Sequence, residues 1–473
     1  MAKILLTTPP WQYFHTLQAL FPDIPPLGLQ ILAGVLRAAG HEARVLDVQH
    51  LAPMHPDFLR AIAEFKPDVI GFSNSELPNS PMVIEVARAV KKRYPGVKLL
   101  AGGQAPTFRP EIFLGPDGPF DAVALYEAEA TVTRIVEALA AGAPLDGLPG
   151  CAWRTANGLL KRSAEERVIC DLDSQPLPYW EGSLKKASLS AGLSAALETS
   201  RGCPFRCTFC SIPGYYGAPR YKSAGRILSE LRGLKALGVT EFSANDDSFA
   251  TRPEIAREVF ETMLREKMNL RFGVQIRADI IAANPDLVEL GARAGLYLAV
   301  VGFEGYTYAV QAEAEKGNSA RINSEASHIL RRSGVAVYGT HIFGGPAGGL
   351  ADNLATFFQG RRNSDIFRMT IYTPLPGSRL YDDLAGSSRL GSADPSDFYE
   401  GKYLIKDSHD PLLVQLAYFG LLALHYALPD TMLKALAHPN IVIRLFMRRA
   451  YRGAVSFVLG SAAAALRGRR AAL

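Results

Sequence analysis

Over the first 140 residues, short runs of β-branched and aliphatic residues alternate with stretches whose apolar positions recur every three or four residues. This rhythm predicts a parallel sheet covered on both faces by helices. Strands are expected at 3–8, 43–48, 69–73, 97–101 and 121–125, with helices at 28–39, 56–65, 80–93 and 130–141 between them. Five strands joined by right-handed crossovers make an α/β, flavodoxin-like doubly wound domain, whose ligands lie over the carboxyl ends of the strands. From 144 to 187 the helical rhythm stops. Asn157-Gly158 predicts a small hairpin between 151–154 and 159–162, and the Pro-containing run from Asp171 to Pro178 reads as a connector. Alternation then resumes, with strands expected at 195–199, 241–244, 271–277, 296–303, 336–342 and 367–373 and helices at 224–237, 253–266, 284–294, 321–333 and 351–359. Six such units fit a partial (β/α) barrel with its active site at the C-terminal mouth of the strands. The last segment, 408–473, reads as helical. Its dense apolar run at 411–428 contains Gln415 and His425 and falls short of a membrane span, which predicts a buried helix. The expected division is thus 1–143, 144–187 as linker, 188–385 and 386–473.

Length and composition narrow the class. A chain of 473 residues exceeds one ordinary core, and 48% apolar with 21% charged residues describes a globular protein. Five cysteines, three of them clustered, do not form a secreted disulfide framework. Met1-Ala2-Lys3 leads straight into a strand with no signal peptide, so the expected compartment is a reducing cytoplasm. The net charge of +5 is uneven: from Thr431 onward there are Lys434, seven arginines and no acid, leaving −3 on the preceding 430 residues. A near-neutral body argues against a nucleic-acid enzyme. Residues 441–466, where arginines mix with apolar residues, read either as a membrane-docking surface or as a solvated helical cap.

The candidate chemistry centres on Arg201-Gly202-Cys203-Pro204-Phe205-Arg206-Cys207-Thr208-Phe209-Cys210, directly after the first expected barrel strand. Three soft thiolates within eight residues can hold three corners of an iron–sulfur cubane. A structural zinc site would need a fourth ligand, and Cys151 and Cys170 lie in the linker. A zinc knuckle completed by a distant histidine, or a reactive thiol cluster, is the alternative reading of the three cysteines.

The C-x3-C-x2-C spacing, with an aromatic before its last cysteine, resembles the signature of radical S-adenosylmethionine (SAM) enzymes. The resemblance implies a [4Fe-4S] cluster on Cys203, Cys207 and Cys210 whose open iron chelates SAM, and whose electron cleaves the sulfonium to a 5′-deoxyadenosyl radical. Later segments, each at a strand end, resemble the other motifs of the family. They are Asn245-Asp246-Asp247-Ser248-Phe249, Gln275-Ile276-Arg277-Ala278-Asp279, Gly302-Phe303-Glu304-Gly305 with Lys316-Gly317, Gly339 to Pro346, and Thr373-Pro374-Leu375-Pro376-Gly377-Ser378. By resemblance, Phe209, Asn245, Asp246, Asp247, Arg277, Glu304, Ile342 and Gly344 would contact SAM. Asp246-Asp247 could also be only an acidic turn, and Arg277 a structural ion pair. The acid that usually follows the Gly-Pro is replaced by Ala347-Gly348-Gly349.

The N-terminal half, with Pro9-Pro10, Pro25-Pro26-Leu27-Gly28-Leu29, Gly40-His41 and Asp47, is similar to cobalamin-binding domains fused to radical SAM barrels. The resemblance implies a cobalamin site at Ser73, Ser75, Leu77, Gly102, Gly103 and Glu127. Tyr126 and Ala128 depart from the glycines of the family's G-E-G-E. Asp47-Val48-Gln49-His50-Leu51-Ala52 breaks the D-x-H-x-x-G spacing of methionine-synthase-type domains, so His50 is not assigned beneath cobalt. A cofactor-free flavodoxin-like module is the competing reading.

Taken together, the resemblance implies a cobalamin-dependent radical SAM enzyme. It would act by C-methylation of a hydrophobic substrate (tetrapyrrole, hopanoid or other lipid), with oxidative cyclisation as the alternative and a cobalamin or cluster carrier as a third reading. A flavodoxin- or ferredoxin-type protein would donate electrons. Methylthiotransferases acting on tRNA share the cysteine spacing but need a second cysteine cluster, and residues 1–150 contain no cysteine. His341, Tyr215, Tyr216 and Tyr306 are candidates for lining the pocket or for packing in the core.

Overall fold

The structure is a computed structural model that describes residues 1–10, 24–49, 51–163, 169, 171–180, 182–186, 191–449 and 451. Two seven-stranded sheets carry it. The first contains β1 (Lys3–Thr7), β2 (Glu42–Leu46), β3 (Val69–Ser73), β4 (Lys98–Gly102), β5 (Ala122–Ala124), β6 (Cys151–Arg154) and β7 (Leu160–Arg162). Their spatial order is β2-β1-β3-β4-β5-β6-β7, parallel as far as β5. β1 and β3 are buried along nearly their whole length because helices cover both faces. The first five strands thus take the 2-1-3-4-5 order of the expected flavodoxin-like domain. The hairpin placed in the linker, however, belongs to this sheet: β6 pairs antiparallel with β5, and β7 with β6. β5 is only three residues long and would otherwise be an open edge, which the hairpin covers.

The second sheet comprises β8 (Lys185–Lys186), β9 (Leu193–Leu197), β12 (Val239–Ala244), β13 (Arg271–Arg277), β14 (Leu296–Glu304), β15 (Ala336–Phe343) and β16 (Ile366–Ile371). Two short strands, β10 (Ser200–Arg201) and β11 (Arg220–Tyr221), form a separate antiparallel ribbon beside it. β9 and β12 to β16 are parallel in chain order, and the sheet curls into a half-barrel; β8 closes one end antiparallel. Phe242, Phe260 and Phe272 stack in the core between this sheet and its helices.

Two apolar seams join the sheets. Trp180, at the end of the connector, packs with Leu27 and Ile31 of the first helix, Leu27–Ala38, and with Ala195 and Ala196 of β9. The Tyr179 N–H donates to the Gln30 carbonyl (2.9 Å) just before it. Tyr215, Phe398 and Leu404 enter the core of the first sheet from the other side. The carboxyl ends of both parallel sheets therefore meet across one cleft.

The segment expected as a buried helix is a helix, Pro411–Ala427, but it lies on the surface with only Tyr418 and His425 buried. Nearly every position in it is apolar, so the sequence marks no face, and burial is decided by the few polar side chains that find partners. Residues 441–449 are helical and bury Val442, Ile443, Phe446 and Met447 against Tyr338 and Ile366. Beyond them, apart from Tyr451, residues 450–473 lie outside the described residues, as do His50 and Cys170.

Candidate active site between the two sheets

β9 delivers the chain into the loop that carries Cys203, Cys207 and Cys210, all three partly exposed. The loop is tied down at several points. The Gly202 N–H donates to Asp247 Oδ2 (2.9 Å), the Thr208 N–H to the Ala314 carbonyl (3.2 Å), and Thr208 Oγ1 to the Glu313 carbonyl (2.7 Å). Phe209 packs edge-on against Tyr372. Burial raises the Cys203 thiol and pushes the Cys210 thiol up to about 12. Among the described residues no three His, Cys, Asp or Glu side chains converge as one metal ion would require. A cubane would take its three thiolates on three separate irons rather than on one ion.

The edge of the second sheet is lined with paired charges. Arg277 ends β13, stacks on Phe205 (3.5 Å to the ring centre), pairs with Asp279 (2.7 Å) and points Nη1 at Cys207 Sγ (3.8 Å). Glu304 ends β14 at φ +60 and pairs with Lys316 (2.5 Å), a strained backbone of the kind that gathers at ligand sites. The two adjacent aspartates separate. Asp246 is fully buried and accepts from Thr199 Oγ1 and Ser200 Oγ (both 2.6 Å), so it braces the loop. Asp247 is partly open, and burial pushes its carboxyl up to about 7 against the Gly202 hydrogen bond. Asn245 is exposed. At the end of β15, Ile342 is buried and Gly344 sits at φ +75, donating its N–H to Asn353 Oδ1 (2.9 Å). His341 and Tyr306 belong to an aromatic group with Phe303 and lie in the core, where burial lowers the His341 imidazole to about 4.

The edge of the first sheet is built oppositely, from small residues around a cavity of about 380 Å³. Ser73, Ser75, Gly102, Gly103 and Ala124 line it, and the far wall brings Tyr215, Tyr216, Arg201 and Asn245 from the second half. Gly103 sits at φ +103, and a Cβ there would stand 2.7 Å from the Asn74 carbonyl oxygen; only glycine fits. Leu77 faces a neighbouring cavity of about 270 Å³, which it shares with Ser75, Phe108, Leu375, Phe398 and Glu400. The cleft can therefore take an extended organic cofactor along the first edge and a polar nucleotide along the second.

Comparison with known proteins agrees with that division. Residues 17–136 match the model of the B12 binding domain, and residues 197–349 match that of the radical SAM superfamily. The chain belongs to the cobalamin-binding radical SAM enzymes. The hopanoid C-3 methylase of Methylococcus capsulatus is 31% identical over 67% of this chain. The anaerobic magnesium-protoporphyrin IX monomethyl ester cyclase of Synechocystis is 26% identical over 68%. The chain spans 61% and 64% of the lengths of these two relatives. The fold is shared with OxsB, a cobalamin-dependent SAM radical enzyme (TM-score 0.74, 17% identity, 97% of this chain and 72% of that one). It is also shared with the methyltransferase TsrM from Kitasatospora setae (TM-score 0.70, 15% identity, 96% and 100%).

One feature of this cobalamin-binding radical SAM chain escaped the sequence. Glu127 lines the first cavity, but its two carboxylate oxygens are taken by Arg201 (2.9 Å) and Arg220 (2.7 Å). It clamps two arginines of the second half while lining the cavity. Arg201, two residues before Cys203, also meets Glu129 (2.7 Å) and Glu198 (2.8 Å). Burial works against the Arg201 charge, and Glu129 and Glu198 more than offset it. Lys222, Arg226 and Glu230 extend the group, so four acids balance four bases in the seam between the halves. Tyr126, in the position of a family glycine, holds φ +54 because the Thr107 hydroxyl accepts its N–H (3.0 Å) and its carbonyl accepts from Tyr215 (2.8 Å). The only sequence signal was the pair Glu127 and Glu129, whose partners lie more than 70 residues away.

Proposed function

We propose that this protein is a cobalamin-dependent radical SAM enzyme that functionalises an unactivated carbon by C-methylation of a hydrophobic, tetrapyrrole-, hopanoid- or other lipid-like substrate. One observation carries the reading: a single cavity runs from the small-residue edge around Gly103 to Asn245 and Arg201 beside the cysteine loop. A [4Fe-4S] cluster with SAM would supply the 5′-deoxyadenosyl radical there, and cobalamin the methyl group. Cys203, Cys207 and Cys210 would hold the cluster, with the Arg277 guanidinium placed to stabilise charge on Cys207. Asp247 and Asn245 would accept from the SAM ammonium, Glu304 from its ribose, and the Gly344 turn would receive the adenine, with Phe209 and Ile342 packing nearby. Asp246 would act through the loop it braces. Ser73, Ser75, Gly102 and Gly103 would admit the nucleotide tail of cobalamin, and Leu77 would stand between that site and the neighbouring cavity it lines. The neighbouring cavity, mainly apolar around Leu77, Phe108, Leu375 and Phe398, suits a hydrophobic substrate and keeps water from the reacting carbon.

The cyclase relative supports a second reading, oxidative ring closure on a tetrapyrrole. The proposed partners are a flavodoxin- or ferredoxin-type electron donor in the cytoplasm and, for the Arg-rich C-terminal region, a membrane surface. Anaerobically purified protein incubated with SAM and a low-potential reductant tests the reading. 5′-Deoxyadenosine should form, and Cys207→Ala should abolish it by more than about a thousandfold. If SAM is neither cleaved nor used to methylate cobalamin, a carrier role replaces the enzyme. Zinc without iron would end the reading altogether.

A further inference from the structure

The helix Pro411–Ala427 is turned inside out. Leu412, Leu413, Leu416, Phe419 and Leu424 fall on one face and are 41–64% exposed. Its polar side chains point inward instead. The Tyr403 N–H donates to Gln415 Oε1 (3.1 Å), Tyr418 donates to the Met369 carbonyl (3.0 Å), and Arg361 Nε donates to His425 Nδ1 (3.0 Å). The next helix, Pro429–Ala437, continues the pattern with Met432, Leu433 and Leu436, each at least half exposed. A soluble helix carries the opposite arrangement, and a contiguous apolar patch of this size marks an interaction surface.

We infer that this two-helix face docks on an anionic lipid bilayer, lying in the interface plane rather than crossing it. Neither helix alone is long and apolar enough to span; the two reach that length and composition only as a pair. That pair is bent by 51° at a break where Asp430 pairs with Arg361 (2.7 Å), an ion pair suited to the interface plane. The patch is rimmed by positive charge. Arg444 donates to the His438 carbonyl (3.0 Å) and Arg448 to the Ala435 carbonyl (2.9 Å), holding both guanidiniums at the end of the second helix. No acidic residue occurs from Thr431 to Leu473, so this rim complements phosphate headgroups. The same helix reaches the barrel mouth from its inner side, where the half-buried Val414 side chain abuts Gly344 just after β15. Docking itself holds whatever reaction the enzyme performs. Delivery of an apolar substrate from the bilayer into the mouth rests on the function proposed above.

Flotation of the full-length, cofactor-loaded protein with vesicles tests this. The protein should float with equimolar phosphatidylglycerol and phosphatidylcholine, and much less with phosphatidylcholine alone. Leu416→Glu with Leu433→Glu should lower that binding by about tenfold or more. Arg444→Gln and Arg448→Gln should each lower it roughly fivefold, on anionic vesicles only. SAM cleavage and cofactor absorbance, measured in the same samples, should stay at the parent level for all variants. They report on the proposed chemistry separately from docking. The inference is overturned if the parent protein does not float, or if the double leucine variant floats as well as the parent. It is equally overturned if sedimentation shows a dimer that the leucine substitutions dissociate, since the face would then belong to a second copy.

Discussion

The two sheet edges that face each other across the cleft solve different problems. The first is carved from small residues: Ser73, Gly102, Gly103 and Ala124 leave space, and its own lining acids, Glu127 and Glu129, are turned to arginines of the other half. The second is crowded with charges that already have partners, Arg277 with Asp279 and Glu304 with Lys316. A bulky cofactor tail is admitted by removing atoms. A small zwitterion is gripped by polar groups that exchange one partner for another. On the function proposed above, discrimination at the first edge would be steric and at the second electrostatic. The buried ion group around Arg201 is what keeps the two edges in register.

The strongest way to break this arrangement is to remove that arginine. Arg201→Met would take from Glu129 its arginine and leave Glu127 with Arg220 and Glu198 with Lys222, an excess of negative charge in a buried seam. The expected loss is about 3–5 kcal/mol of stability, read from chemical denaturation. Replacing Glu129 by Gln in the same chain should restore part of it, because one stranded charge is removed. The steric edge can be broken without touching the other. Gly103→Val places a Cβ at 2.7 Å from the Asn74 carbonyl oxygen. Bound cobalamin, measured by absorbance, should then fall about tenfold, while iron content and SAM binding stay unchanged. Equal losses of both cofactors would mean that the edges are not independent.

A third, smaller test uses pH. Glu76 lies between the edges, and burial, reinforced by Glu400, raises its carboxyl from 4.5 to about 7. A carboxyl with a raised folded-state pKa gives stability that is complete below pH 4.5 and is lost as pH climbs through 7, because the unfolded chain then holds the charge more readily. Glu76→Gln should therefore stabilise the protein at pH 8 by about 1–3 kcal/mol relative to pH 5, read as a difference in thermal midpoint. No pH dependence in that difference would place the carboxyl in contact with water.

Much of the fold was legible from the chain. The strand at Val69–Ser73 and the helix at Ser80–Arg93 fall where the apolar rhythm puts them, because each is a local pattern read by its own burial. The hairpin at Cys151–Arg154 was also legible, but its place in the sheet was not, since β5 is a distant partner. The same limit applied to the site. The cysteine loop announces itself by spacing. Asp246 and Asp247 look alike in sequence, and only the turn decides that one faces Ser200 and the other Gly202. Glu127 and Glu129 were visible as acids on a loop after a strand, yet their arginines come from another part of the chain. The surface helix at Pro411–Ala427 defeated the reading for a different reason: with apolar residues on all sides, no face is distinguished.

The four-against-four balance of buried charge also bears on modularity. An engineer who grafts a foreign B12 module onto this barrel transplants a counter-ion set along with a cofactor pocket. A donor lacking acids equivalent to Glu127 and Glu129 would leave Arg201 with Glu198 as its carboxylate partner and Arg220 with backbone carbonyls in place of one. Chimaeras of these enzymes should accordingly succeed or fail on two glutamates, whatever the quality of the grafted pocket.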